Sequence, residues 1–192
     1  MNNFEIVILA LALVFSSWNS YLSAGLVLVK EQLVRKLYFA GIMFLMQFIL
    51  AGTGIWLGYK FCSPEVRVNI LISLSIMLVF GLKVLLTAIR VQTQVKEEEE
   101  EETDYTDNKV ILIAALTEGI TPLFIGAAIG LLSTHPYLHW LLIGLFLISG
   151  IFSGQFLATN MGIKSLKLRF GAFGGLLLLA AAIKLALNII RF

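Results

Sequence analysis

The run LHWLLIGLFLISGIFSGQFLATNMGI, residues 138–163, decides the fold class, because it is long, apolar and free of charged residues. A helix needs about 20 consecutive, mostly apolar residues to cross the hydrocarbon core of a bilayer. Six segments are long and apolar enough: Phe4–Val29, Leu37–Tyr59, Val68–Ile89, Val110–Ser133, Leu138–Ile163 and Phe170–Ile190. None shows the two-residue alternation of a barrel strand. The sequence therefore predicts an all-α integral membrane protein with six transmembrane helices.

The composition supports a membrane protein without a soluble domain large enough for chemistry of its own. Hydrophobic residues make up 59% of the 192 residues and charged residues 14%, whereas soluble domains have roughly 45–50% and about 25%. The first apolar segment has no basic residue before it and contains Glu5, so a cleavable signal peptide is not expected. A single cysteine, Cys62, excludes an internal disulfide and a Cys-x-x-Cys redox pair.

The distribution of basic residues predicts the orientation in the cell membrane. Loops at 30–36, 90–109 and 164–169 contain nine Lys or Arg residues, and the loops and termini on the other side contain three. Because basic loops stay in the cytoplasm, we expect a multi-pass protein with both termini outside. The unbroken acidic run at 97–102 then lies in the cytoplasm. It is either a self-repelling linker or a segment that gathers cations at the entrance, without the spacing of a calcium loop.

The two halves of the chain predict an inverted repeat within a single membrane domain, residues 1–192. The first repeat covers about 4–89, the acidic linker 90–109 and the second repeat about 110–190. Lys83 near the end of the third predicted helix corresponds to Lys184 near the end of the sixth. Gly54-x-x-x-Gly58 is echoed by Gly154-x-x-x-Ala158. Because each half has three helices, the halves face opposite ways, as in many secondary transporters.

Two predicted spans contain polar runs that interrupt their apolar character. The first is Ser16-Ser17-Trp18-Asn19-Ser20, and the second is Thr117-Glu118-Gly119-Ile120-Thr121-Pro122. We expect both helices to be broken, since Pro removes a helical hydrogen bond, and freed carbonyls near the midplane can hold ions. Close packing of small residues is the alternative, and it suits the stripe Gly150, Gly154 and Ala158 better.

Charged and metal-binding candidates are few. Lys83 and Glu118 have equal predicted depth, about 10–12 Å from the same face at 1.5 Å per residue, so a salt bridge is predicted, with Lys83 snorkelling to the surface as the alternative. His135 and His139 are four residues apart, but Pro136 lies between them and no acidic or Cys partner is near. No metal site is predicted there.

The polar runs carry a resemblance to the bacterial manganese-exporter family of the MntP type, over nearly the whole chain. That family has Ser-Met-Asp-Ala-Phe-Ala where this chain has residues 17–22, and Ser-Ile-Asp-Ala-Leu-Ala-Val-Gly where it has residues 119–126. The closing Gly-Gly-Leu matches Gly174-Gly175-Leu176. Asn19 and Thr121 replace the family aspartates, and Gln47 replaces a family glutamate. The resemblance implies two three-helix repeats with a substrate site that is neutral here, although Mn²⁺ favours anionic oxygens.

The predicted function is secondary transport of a small ion or solute, with a divalent cation among the candidates. The predicted pathway residues are Asn19, Ser20, Gln47, Glu118, Thr121 and Pro122, with Lys83 and Lys184 as charged intramembrane residues. The alternative is a transport-inactive homologue with a structural or regulatory role in the membrane. An enzyme is not expected, because Glu118 has no His near it. The expected partners are the lipid bilayer and the transported species, without a cofactor or nucleic acid.

Overall fold

The computed structural model of the chain describes residues 3–28, 33–94, 107–161 and 167–191. Over these residues the regular structure is all helical, which confirms the predicted fold class. The seven helices are α1 (Asn3–Ser16), α2 (Trp18–Val27), α3 (Leu33–Lys60), α4 (Val66–Gln94), α5 (Asn108–Leu132), α6 (Pro136–Met161) and α7 (Lys167–Arg191). The acidic run at 97–102 lies outside the described residues.

Four helices are clear candidates for membrane spans, which confirms a multi-pass membrane protein. They are α3, the Val66–Ile89 part of α4, α5, and the Pro136–Ala158 part of α6. The bent pair α1 and α2 is long and apolar enough only when the two helices are taken together, as one broken span. Within α7, the segment Gly171–Leu187 is apolar but shorter than these spans. Among the described residues the structure therefore has four spans, or five with the bent pair, where the sequence predicted six.

The predicted break in the first span is confirmed. Helix α1 ends at Ser16, α2 begins at Trp18, and the two helices meet at a bend of 42°. Two backbone hydrogen bonds bridge the bend, from Ser17 N to Leu13 O and from Tyr21 N to Ser17 O, each at 3.3 Å. The bend turns the first residues of α2 toward the second half of the chain.

The predicted break in the fourth span is wrong. Helix α5 continues through Pro122 without interruption from Asn108 to Leu132. Proline removes one backbone hydrogen bond from a membrane helix, and packing against a neighbouring helix can keep the helix continuous despite this loss. Helix α3 has this role, because its backbone lies against α5 beyond the proline. Helix α4 extends to Gln94, and Asp107 caps α5 by accepting from the Lys109 N–H at 2.9 Å.

Glycines allow α3 and α5 to approach at backbone distance. A Cβ atom on Gly54 or Gly58 would collide with backbone atoms of α5, and one on Gly126 or Gly130 with backbone atoms of α3. Small residues are the usual means of close helix packing in membranes. Gly41 of α3 differs, because a Cβ there would meet nothing within 4 Å.

The predicted small-residue stripe of α6 also packs closely. Gly150 lies against Val14 of α1 and Gly154 against Tyr21 of α2, and Ala158 contacts Gly25. The packing interpretation of this stripe is therefore confirmed. On the other side of the bundle, α4 and α7 meet at Gly81 and Gly175.

The surface away from these contacts is apolar. Val79, Ile113, Leu145 and Phe156 are more than 60% exposed. Large exposed hydrophobic surfaces mark contact with another apolar phase. In a bundle of membrane-spanning helices, that phase is the lipid.

Candidate ion site

A hydrogen bond between α2 and α5 defines the candidate site. The Ser20 hydroxyl donates to Glu118 Oε1 at 2.5 Å. Ser20 reaches α5 because it lies on the first turn of α2, just beyond the bend. The bond places a carboxylate and a hydroxyl from opposite halves of the chain at the same depth in the bundle.

Glu118 lines a cavity of about 140 Å³ whose walls come from four parts of the bundle. Helix α5 contributes Thr117, Glu118 and Thr121, α4 contributes Lys83, Val84, Thr87 and Ala88, the bend of α1 and α2 contributes Ser16 and Asn19, and α7 contributes Gly171. The cavity lies toward the end of the bundle where α4 ends and α5 begins. By the basic-residue distribution this is the predicted cytoplasmic end.

Asn19 is positioned for interaction with a ligand in this cavity. A Cβ atom at Gly171 would lie 3.0 Å from Asn19 Nδ2, so the glycine at position 171 makes room for the Asn19 side chain. The Asn19 Oδ1 atom is buried and has no hydrogen-bond partner within the described part of the chain. Buried amide oxygens normally have a donor or a bound ion. Asn19 lines the cavity, and its unpartnered amide oxygen is an atom that a bound cation could use as a ligand.

Pro122 affects the site through the backbone. Proline has no N–H, so it cannot donate to the carbonyl four residues earlier, which is that of Glu118. Thr121, immediately before it, is buried and lines the cavity. The hydroxyls of Thr87 and Thr117 are directed instead to carbonyls of their own helices, at 2.9 and 2.8 Å. The available oxygens therefore belong to Glu118, Asn19 and Thr121.

Gln47 does not line this cavity. It is fully buried in α3 and accepts a hydrogen bond of 2.5 Å at Oε1 from the Tyr21 hydroxyl. Its Nε2 atom has no partner among the described residues. Tyr21 follows Ser20 in α2, so the buried Gln47–Tyr21 pair lies next to the residue that bonds to Glu118.

The sequence interpretation missed Tyr21, although the comparison of motifs contained the signal. The family motif has Ala and Phe where this chain has Ser20 and Tyr21. The two added hydroxyls donate to Glu118 and Gln47. The hydroxyls of Ser20 and Tyr21 in α2 therefore bond to polar side chains of α5 and α3.

The predicted salt bridge between Lys83 and Glu118 is wrong, although both residues line the same cavity. No ion pair within 4 Å joins these two described side chains. The Lys83 ammonium lies 5.5 Å from the centre of the Phe80 ring, and Lys83 is exposed. Lys83 and Glu118 have the same predicted depth in the membrane, but depth does not determine the direction in which the Lys83 side chain points. The second intramembrane lysine, Lys184, does form an ion pair, at 2.7 Å from Glu5 Oε1.

The two histidines stabilise the loop between α5 and α6. His139 is buried, and its Nδ1 lies 2.7 Å from the Ser133 hydroxyl. The backbone N–H of His135 donates to the same hydroxyl at 3.1 Å. Within the described ranges, no group of three or more His, Cys, Asp or Glu residues could hold a metal ion.

Comparison with known families identifies the chain. Residues 30–186 match the model of the Mntp family, whose description is "Putative manganese efflux pump". The chain belongs to the MntP family. This confirms the resemblance found in the motifs, and it associates the chain with membrane transporters. The match to the MntP family begins after α2, so the segment that supplies Asn19 and Ser20 precedes it. Comparisons with curated proteins and with solved structures gave no match.

Proposed function

We propose that the chain is a secondary transporter that exports a divalent cation such as Mn²⁺, with Glu118 as the charged ligand of the transport site. The observation that carries the proposal is the Glu118 carboxylate, which lies within a span, lines a polar cavity and is bonded to Ser20. Ionisable residues inside spans are costly, and they typically mark ion pathways.

The ligand set accounts for binding of a hard cation and predicts weak affinity. Ser20 bonds to Oε1 of Glu118, and we propose that the cation binds the second carboxylate oxygen. Asn19 Oδ1, the Thr121 hydroxyl and water would supply neutral oxygens. Mn²⁺ accepts carboxylate, carbonyl and water ligands. With one anionic oxygen group at the site, where the family motifs supply three carboxylates, affinity for Mn²⁺ should be low.

The proposal includes six spans arranged as an inverted repeat, with the α1–α2 pair as the first span and α7 as the sixth. The helix contacts support this arrangement. In an inverted repeat, the α1–α2 pair corresponds to α5, α3 to α6 and α4 to α7. The contact between α3 and α5 then has its equivalent in the contact of α6 with α1 and α2, and the contact between α4 and α5 has its equivalent in the contact of α7 with α1. The contacts between α4 and α7 and between α3 and α6 each join two equivalent helices. Both termini are proposed to lie outside and the acidic linker in the cytoplasm.

A transport-inactive homologue is not favoured. A carboxylate, an unpartnered amide oxygen and a lysine belong to residues that line one cavity within the bundle. Such groups are costly in a span unless they have a use.

Transport by purified protein in proteoliposomes tests the proposal. Mn²⁺ flux should be measurable with the native chain and should fall at least about tenfold in Glu118→Gln, which keeps the shape and removes the charge. Glu65→Gln is the matched control, because Glu65 lies exposed in the loop between α3 and α4. Absence of Mn²⁺ flux in the native chain, or full flux in Glu118→Gln, would contradict the proposal.

A further inference from the structure

We propose that the ion pair between Glu5 and Lys184 is a gate at the end of the cation path opposite the Glu118 cavity, and that Glu5 is a second cation-binding carboxylate on this path. This inference rests on the proposed transport function and adds to it a second site and the group that closes it. For clarity, the Glu5–Lys184 pair is called the far gate.

The far gate lies at the other end of the same helices that form the Glu118 cavity. Helix α1 runs from Glu5, near its start, to Ser16, which lines that cavity. Eleven residues of helix separate the two, a distance of about 16 Å. Helix α7 likewise runs from Gly171 in the cavity to Lys184 at the gate. The two sites therefore lie on one line along the bundle.

Glu5 lies between a polar mouth and the apolar interior. On one side it lines a wide cavity of about 520 Å³ together with Cys62, Ser63, Asn69, Ser133 and Thr134. On the other side it lines a smaller, apolar cavity of about 140 Å³ with Lys184, Leu9 and Met77. Glu5 and Leu185 line both cavities, so a cation that moved between them would pass close to the Glu5 carboxylate.

An apolar plug separates the far gate from the Glu118 cavity. Leu9, Leu13 and Met77 are almost completely buried, and Phe80 and Leu178 belong to the same packed cluster. Hydrated ions do not cross such a segment. In the described conformation the path is therefore closed on the side of the far gate, while Lys83 and Glu118 line an open cavity at the other end.

The two intramembrane lysines occupy equivalent places in the two repeats but differ in their partners. Lys184 is ion-paired with Glu5, whereas Lys83 faces the Phe80 ring and forms no ion pair with Glu118. Alternating access requires one end of the path to be closed while the other is open. A cation that arrives at Glu5 can replace Lys184 as the counter-charge. The carboxylate then remains neutralised while Lys184 moves away and the gate opens.

Thiol labelling in lipid nanodiscs tests the far gate without a transport measurement. In a Cys62→Ser background, Met77→Cys places a thiol behind the gate at a position that is 1% exposed. With the ion pair intact, a charged, water-soluble thiol reagent should label this cysteine slowly. Lys184→Met should speed labelling at least about tenfold. Lys60→Met, another exposed lysine at the same end of the bundle, is the control and should change nothing.

The charge-swapped double variant separates gating from misfolding. Glu5→Lys with Lys184→Glu restores the attraction and should restore slow labelling. Continued slow labelling in Lys184→Met, equal acceleration in Lys60→Met, or fast labelling in the double variant would each overturn the far gate. Because labelling needs no Mn²⁺, its outcome is independent of the proposed function, whose failure would appear as absent Mn²⁺ flux in proteoliposomes.

Discussion

Ser20 and Glu118 are 98 positions apart in the sequence, and the Ser20 hydroxyl donates to Glu118 Oε1 at 2.5 Å. The bond joins the two halves of the chain at one depth. It orients the carboxylate, so a cation at this site would meet a fixed charge and not a mobile one. Preorganised ligands lose less conformational freedom on binding.

Removal of the Ser20 hydroxyl should therefore affect both stability and transport. We expect Ser20→Ala to lower the free energy of unfolding by about 0.6–2 kcal/mol, the range for hydrogen bonds between membrane helices. Mn²⁺ flux should fall several-fold, because Glu118 loses its orientation. Ser75→Ala is the control, since the Ser75 hydroxyl only bonds to Leu71 O of its own exposed turn. Equal effects of the two substitutions would show that the Ser20 bond has no special role.

The Tyr21–Gln47 pair should be more sensitive to the loss of one partner than to the loss of both. Tyr21→Phe leaves the buried Gln47 amide without its partner, at a cost of about 1–3 kcal/mol. Adding Gln47→Met removes the remaining amide and should recover part of that stability. Thermal unfolding of the single and double variants in detergent measures the difference. A double variant less stable than Tyr21→Phe would contradict this account of the pair.

Two glycines of α3 provide a matched test of helix packing. Gly54→Ala introduces a Cβ against the backbone of α5, so we expect destabilisation by roughly 1–3 kcal/mol. Gly41→Ala places its Cβ in open space and should be neutral or stabilising by up to about 1 kcal/mol. Unfolding midpoints that move equally for both variants would argue against close packing of α3 on α5.

The sequence was sufficient for the parts of the fold that depend on hydropathy and local chemistry. Long apolar runs predicted the helices, and the polar run at 16–20 predicted the bend at Ser17, because the pattern itself marks both. Pro122 was overinterpreted, since one lost hydrogen bond does not break a helix that packs against a neighbour along its length.

The site was predicted in part, because sequence gives the depth of a residue more reliably than its direction around the helix axis. Asn19, Glu118 and Thr121 do line one cavity. Gln47 was placed in the same group but faces Tyr21, since the rotation of α3 is set by its glycine contacts with α5. Lys83 was matched to Glu118 by depth alone, and its flexible stem turns toward Phe80 instead. Whether these residues conduct an ion stays a prediction.

Orientation in the membrane can be tested at Cys62, the single cysteine of the chain, which is exposed after α3. We expect a membrane-impermeant thiol reagent to label Cys62 in intact cells. In a Cys62→Ser background, Asp107→Cys at the start of α5 should be labelled only after the membrane is opened. The reverse pattern would place both termini in the cytoplasm.

Restored acids should strengthen cation binding only where the structure places them in the cavity. Asn19→Asp and Thr121→Asp add charge beside Glu118 and should each raise Mn²⁺ affinity by about tenfold or more, since hard cations favour anionic oxygens. Gln47→Glu should have a smaller effect, because Gln47 is bonded to Tyr21 outside the cavity. Calorimetric titration of the three purified variants with Mn²⁺ gives the comparison. A larger gain from Gln47→Glu than from the other two would place the site elsewhere.

Direct measurement of Mn²⁺ binding tests the central role of Glu118. Free aqueous Mn²⁺ gives an electron paramagnetic resonance signal that falls when the ion is bound, so the method counts bound ions without requiring transport. The native chain should bind Mn²⁺ weakly, and Glu118→Gln should lose this binding while Glu65→Gln keeps it. Unchanged binding in Glu118→Gln, or tight binding that does not depend on Glu118, would contradict the account.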